Sequence, residues 1–325
     1  MGVRPQITSA VGECIVAAWR PAVLAAVAIT LCATEALASL PSDAASPYTT
    51  AEQSKTELQN RLCKEAELDC TFVASIFSDP RLVFYQPPSP SPNPSPQPRE
   101  RERNPYFTKR FGLLTPVSLE RCRLFIIEHT AAFTAAYRAY GVPEEIICGH
   151  LRIETDFGIP TMLSPNPLGR RPAINQLVSL YIRKPDRKDR KSRLVRRREF
   201  AFAEITKLIM AGKKFGWDLF EIPGSPTGAI GLVQFEPSSI GIAVDGDGDG
   251  RIDLFNPDDA IVSVAHYLET RGWDLNSEHQ RRAIYAYYGG QYSKDPHKYY
   301  MKAVLRYATE VREYLKIHPA ERASF

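Results

Sequence analysis

Residues 140–158 read YGVPEEIICGHLRIETDFG, and they admit little besides a helix buried along one face and ending beside an acid. Pro143 suits a helix's first turn, where its missing N–H costs nothing. Glu144 and Glu145 suit the positive end of the helix dipole. Ile147, Leu151 and Glu154 are spaced i, i+4, i+7 and fall on one face, which Ile146 and Ile153 widen. Gly158 is placed to end the helix in a left-handed conformation. Glu154 is therefore a carboxylate set on an apolar stripe. Burial disfavours its charged form and raises its pKa, which suits a general acid near neutral pH. On this helix alone, a buried glutamate paired with a basic neighbour is the plain alternative.

The surrounding patterns are also helical. Thr115 and Pro116 open a run whose apolar positions, Cys122 through Phe125, Phe133 and Tyr140, predict one long helix ending at Gly141. His129 on that run reads as a satisfied core histidine. Further helices are expected over 52–77 (with Asp69 capping a second short one), 199–210, 259–271 and 300–316. No alternating run is long enough to nominate a sheet, so the fold is expected to be mostly α.

The 325 residues allow one or two domains with a sizeable core. Residues 1–38 read as a secretory signal peptide: Arg4 and Arg20, a short apolar run, then Ala36-Leu37-Ala38. A lipoprotein cysteine at Cys32 ranks second, because Leu31 before it is large for such a site. Residues 39–86 form a small N-terminal helical segment. Residues 87–98 hold seven prolines in twelve positions and read as a semi-rigid linker; residues 99–325 form the main domain. Export implies an oxidising compartment for Cys63, Cys70, Cys122 and Cys148. Pairings 63–70 and 122–148 need the least chain reorganisation, with buried free thiols as the alternative. The net charge of +4 gives no argument for nucleic acid, and residues 183–198 carry ten Lys or Arg against two Asp. That basic run is a solvated face or a contact for cell-wall or membrane material.

Asp245-Gly-Asp247-Gly-Asp249-Gly250-Arg251-Ile252-Asp253 matches the start of an EF-hand loop. Alternating hard oxygens converge on one cation, Gly250 supplies the turn, and Arg251 offers its backbone carbonyl. The usual twelfth-position Glu is missing. Asn256-Pro257 reads as a helix start, which makes Asp259 the closing ligand. A structural calcium ion is expected there and no organic cofactor.

GAIGLVQFEPSS, residues 228–239, precedes that loop. Gly228 and Gly231 would let the backbone approach a ligand, and Gln234 offers both donor and acceptor. Taken in order, YGVPEEII…ETDFG, GAIGLVQFEPSS, AVDGDGDGRIDLFNPDDAIVSVAHYL and RGW resemble the membrane-bound lytic transglycosylase B family of murein-degrading enzymes, from about Asn104 to Tyr314. The resemblance implies a lysozyme-like (goose-type) α-helical domain with an EF-hand-like calcium loop. It also implies cleavage of the β-1,4 bond between N-acetylmuramic acid and N-acetylglucosamine without water. Glu154 falls on the family's single acid/base. Ser225, Gln234, Tyr267, Tyr287 and Tyr300 fall on cleft groups, and Arg196 and Arg197 on a substrate-binding arginine pair. Asp245, Asp247, Asp249, the Arg251 carbonyl and Asp259 fall on the calcium ligands. Tyr288 stands where the family usually has Asn, so a sugar contact there differs. A long β-rich insertion that one member of the family carries between its equivalents of Trp273 and Tyr287 is absent. A periplasmic monomer, outer-membrane associated if lipidated, acting on peptidoglycan strands is expected. A muramidase hydrolysing the same bond, and a non-catalytic wall-binding protein, are the alternatives.

Overall fold

In a computed structural model, the described residues are 50–85, 104–162, 164–183, 191–289 and 292–319. The leader, Cys32, the proline run and 184–190 of the basic run lie outside them. Ten α-helices occur among the described residues: α1 Ala51–Lys64, α2 Cys70–Ser78, α3 Pro116–Glu128, α4 Thr130–Tyr140, α5 Glu144–Thr155, α6 Ala173–Ile182, α7 Lys191–Phe215, α8 Pro257–Thr270, α9 Ser277–Tyr287 and α10 Tyr299–Ile317. Short 3-10 turns cover Pro105–Phe107 and Pro237–Ile242. The strands are two residues each, β1 Arg171–Pro172 and β2 Pro223–Gly224, paired antiparallel. None of the described helices is long and apolar enough to cross a membrane.

Local chemistry accounts for the boundaries. Thr115, Asp69 and Asn256 each accept a backbone N–H as the cap of the helix they precede. The expected helix from Thr115 to Tyr140 is two helices. His129 leaves the helical region at φ −111, ψ 31. The Thr130 hydroxyl there donates to the carbonyls of Ile126 and Ile127, a local bond that competes with the helix ladder. His129 itself meets Asp258 at 2.7 Å.

Helix α5 is buried on all sides. Ile146 through Arg152 are buried without a break, where the sequence pattern predicted one apolar face; an all-round buried helix belongs to the middle of a core. It packs chiefly against α10. Gly149 makes the approach possible, because a Cβ there would stand 3.0 Å from Val304 Cγ1 and 3.2 Å from the Val304 carbonyl. Helices α8 on α4 and α6 on α7 complete the bundle. Leu58, Leu62, Val73 and Phe77 of α1 and α2 belong to the same core. The helix ends before Gly158: Asp156 already takes the left-handed conformation, φ 51. Aspartate tolerates it better than most side chains, and Arg121 and Arg152 hold its carboxylate.

The four described cysteines are free thiols. They stand in the two pairs of least reorganisation, Cys63 near enough to Cys70 and Cys148 near enough to Cys122 that the neighbouring thiol helps to raise the pKa of Cys63 and of Cys148.

Overpacking at the α5–α10 contact is expected to be costly. Gly149→Val should lower unfolding free energy by about 1–3 kcal/mol in denaturant titration; parental stability would contradict this packing.

Candidate active site

Glu154 stands on the last turn of α5, at the floor of a cleft with three lobes. The first, about 310 Å³, is walled by Gln234, Phe235 and Glu236 on one side and Tyr267, Tyr287 and Tyr288 on the other. The second, about 520 Å³, runs past Arg110, Phe111 and Arg121. The third, about 570 Å³, joins the first through Ser225 and Gln234 and passes Arg170 and Arg171.

Burial drives the Glu154 pKa up to about 7, and a hydrogen bond from Tyr300 partly offsets it. Tyr300 Oη donates to Glu154 Oε1 at 2.7 Å. Tyr287 and Tyr267 are also fixed through their hydroxyls. Tyr287 donates to the Val233 carbonyl at 2.7 Å and Tyr267 to the Ala286 carbonyl at 3.3 Å. Tyr287 and Tyr300 lie nearly parallel, centroids 6.2 Å apart at 9°. Tyr288, more than half exposed, stacks on Tyr300 at 5.7 Å and offers a free face at the cleft mouth. Burial first, and then the nearby Glu154 charge, push Tyr287 and Tyr300 well above the ordinary phenol value. Tyr287 and Tyr300 therefore stay neutral near pH 7.

The loop from Ser225 to Phe235 is held by its own protein. Ser225 Oγ accepts from the N–H groups of Thr227 and Ala229. Gly231, φ 74, places its Cα where a Cβ would lie 2.3 Å from the Leu254 carbonyl, and Gly228 presses on Leu177 in the same way. The sequence reading had both glycines making room for a ligand; they make room for neighbouring chain. Gln234 adopts φ 49, a left-handed strain, and its amide donates to the Gly231 carbonyl at 2.9 Å. Thr155 Oγ1 donates to the Leu232 carbonyl at 3.0 Å, tying this loop to the end of α5.

Arg196 and Arg197 are not brought to the cleft. Arg196 is exposed on α7, and Arg197 donates to the Arg183 carbonyl. The arginine pair in the cleft is Arg170 and Arg171, just before α6; the adjacent Gly169-Arg-Arg-Pro run was the readable signal. Glu236 is a third cleft residue that the sequence did not single out. It is a carboxylate in the same lobe as Glu154, with its pKa raised by burial and then by the charge of Glu204.

In the acidic loop, oxygens of Asp245, Asp247 and Asp259 lie within 4.8 Å of one another. Asp259 is buried at 1 % exposure and accepts from the N–H groups of Gly246 and Asp253, both at 2.7 Å. Three converging carboxylates, one of them buried, form a hard-oxygen set suited to a divalent cation. Asp249 stands outside that trio and accepts from the Arg251 N–H.

Residues 50–314 match the model of the transglycosylase SLT domain. This chain belongs to that family. It is 33% identical over 168 residues to the membrane-bound lytic murein transglycosylase B of Escherichia coli strain K12. The match takes in 51% of this chain and 41% of that protein, so the chain spans about two fifths of the curated relative's length. Among solved structures, the Escherichia coli lytic transglycosylase Slt35 in complex with calcium aligns with a TM-score of 0.57 at 20% identity, over 80% of this chain and 93% of that one. The soluble lytic transglycosylase SltB1 of Pseudomonas aeruginosa aligns with a TM-score of 0.60 at 20% identity, over 81% and 99%. These likenesses show the fold, a lysozyme-like helical domain as the sequence predicted.

The raised pKa carries a stability consequence. The folded value of about 7 exceeds the ordinary 4.5, so the contribution is present below pH ~4.5 and is lost as pH rises through ~7. Glu154→Gln removes that loss. The variant should gain on the order of 2–3 kcal/mol over the parent between pH 4.5 and pH 8, read from denaturation midpoints at both pH values. A pH-independent difference would contradict the burial.

Proposed function

We propose that the protein is a lytic murein transglycosylase with Glu154 as its single acid/base. The observation that carries this reading is the Glu154 carboxyl at the floor of a tyrosine-walled cleft, raised to about neutrality by burial against the opposing hydrogen bond from Tyr300. Protonated Glu154 gives its proton to the glycosidic oxygen between N-acetylmuramic acid and N-acetylglucosamine. The substrate's own N-acetyl group stabilises the positive anomeric carbon. Ionised Glu154 then takes the proton of the muramyl 6-hydroxyl, which attacks that carbon and closes a 1,6-anhydro ring. The attack is intramolecular and gains from proximity; acid–base help of this kind is worth ~10²–10⁴-fold. The tyrosine faces pack against sugar rings, and Ser225 and Gln234 hold the loop that forms the opposite wall. Arg170 and Arg171, in the adjoining lobe, suit carboxylate groups on the glycan or its peptides. A named relative that is membrane-bound supports a cell-envelope location, consistent with the leader read at residues 1–38. The protein acts as a monomer on peptidoglycan strands.

Glu236 favours one second reading. It is a carboxylate in the Glu154 lobe with its pKa raised by burial, its side chain meets no hydrogen-bond or ion-pair partner among the described residues, and it could activate a water and so hydrolyse the same bond. Digestion of purified sacculi followed by mass spectrometry separates the two. Transglycosylation gives muropeptides lighter by one water than the hydrolytic products. Glu154→Gln should cut release by about 10²–10⁴-fold while keeping the fold. Release at the parental rate would remove Glu154 from the reaction.

The acidic loop takes calcium as a structural ion, through Asp245, Asp247 and Asp259 together with Asp249 and the Arg251 carbonyl. The support is the converging trio in this chain and the calcium in the Slt35 complex. Calcium at a hundredfold excess over its Kd should stabilise the protein by about 2.7 kcal/mol relative to EDTA. Asp259→Ala should abolish that difference; an undiminished calcium response in the variant would overturn the ligand set.

A further inference from the structure

His150 has no part in the chemistry above, yet it is wholly buried, one helical turn before Glu154 on α5. A buried imidazole costs free energy unless its nitrogens are bonded. Nδ1 stands 2.8 Å from Tyr300 Oη, and Nε2 meets no donor or acceptor among the described residues. The ring packs on Tyr287, with centroids 4.4 Å apart. Tyr300 Oη therefore sits between His150 Nδ1 at 2.8 Å and Glu154 Oε1 at 2.7 Å, with a single proton of its own to give.

Two arrangements fit those distances. In one, His150 Nδ1–H donates to Tyr300 and Tyr300 O–H donates to Glu154, leaving Nε2 a bare lone pair. In the other, a protonated Glu154 donates to Tyr300 and Tyr300 donates to Nδ1, leaving a buried Nε2–H without an acceptor. Buried donors without acceptors are the rarer defect, which selects the first. We propose that His150 is a positioning residue whose Nδ1–H fixes the Tyr300 hydroxyl on the Glu154 carboxylate. The arrangement favours ionised Glu154 and opposes the effect of burial, so both protonation states stay accessible. Burial also keeps the imidazole neutral, with its pKa lowered to about 3.

No formal charge competes for this chain of bonds. Facing Glu154 are Tyr300 on α10, Tyr287 on α9 and Tyr106 on the first 3-10 turn. Tyr267 on α8 lies behind Tyr287. Arg121 on α3 and Arg152 on α5 are paired with Asp156, and Glu236 lines the far wall.

The proposal rests on Glu154 being the acid/base, and its test has two arms. In the first, the pH profile of sacculus cleavage is measured for His150→Leu, which lacks the donor, and for His150→Asn, whose amide nitrogen can stand in for Nδ1. The alkaline limb should move up by about one pH unit in His150→Leu and stay at the parental position in His150→Asn. Identical profiles for parent and His150→Leu, or equal shifts in both variants, overturn the proposal. In the second, 15N spectra of the histidine-labelled parent should show a protonated Nδ1 and an unprotonated Nε2 for His150; the opposite tautomer overturns it. If the parent releases nothing from sacculi, the lytic reading fails, and the tautomer alone then decides this proposal. The same holds if His150→Leu does not fold.

Discussion

Glu154 gives up much of its hydration where α5 ends, and the hydrogen bond it receives in return comes from Tyr300, 146 residues further along the chain. A carboxylate exchanged from water for one phenol donor titrates near neutrality, because one hydrogen bond does not replace full solvation. This depends on how closely α10 lies against α5, and therefore on Gly149, the residue that admits Val304. Helix packing here sets the proton affinity of the site.

A second line of contacts reaches the same point from the acidic loop. Beyond Asp253, the Leu254 carbonyl accepts from Leu232 N–H at 2.9 Å and lies against Gly231. The Leu232 carbonyl in turn accepts from Thr155, the neighbour of Glu154. Val233 carries the Tyr287 hydroxyl. A cation that stiffens the loop would thus steady both walls of the cleft through backbone contacts, without approaching the substrate.

Much of this was legible in the sequence where a local rule fixes a local structure. The caps at Asp69, Thr115 and Asn256, the position of Glu154 on a buried helix and the convergence of Asp245, Asp247 and Asp259 follow from short-range spacing. What escaped depends mostly on distant chain. The break at His129 reflects a hydroxyl bonding back to the preceding turn and a contact with Asp258. Gly228 and Gly231 serve internal packing because Leu177 and Leu254 happen to lie there. The adjacent arginine pair in the third lobe is Arg170 and Arg171, since β1 pairs with β2 beside Ser225. Arg196 and Arg197, equally plausible as a basic pair, sit on another helix. Glu236 and His150 stand inside the runs 228–239 and 140–158, but nothing in their spacing singles them out; only the placement of Tyr300 and Gln234 gives them meaning.

The central claim is that burial holds the Glu154 carboxyl near neutrality. It is tested most directly by 13C NMR titration of glutamate carboxyls in the labelled protein, with the Glu154 resonance assigned from its loss in Glu154→Gln. The account predicts a single resonance assigned in this way with a midpoint near pH 7. A midpoint at the ordinary value of 4.5 would show a solvated carboxylate, and the cleft would then lack its acid.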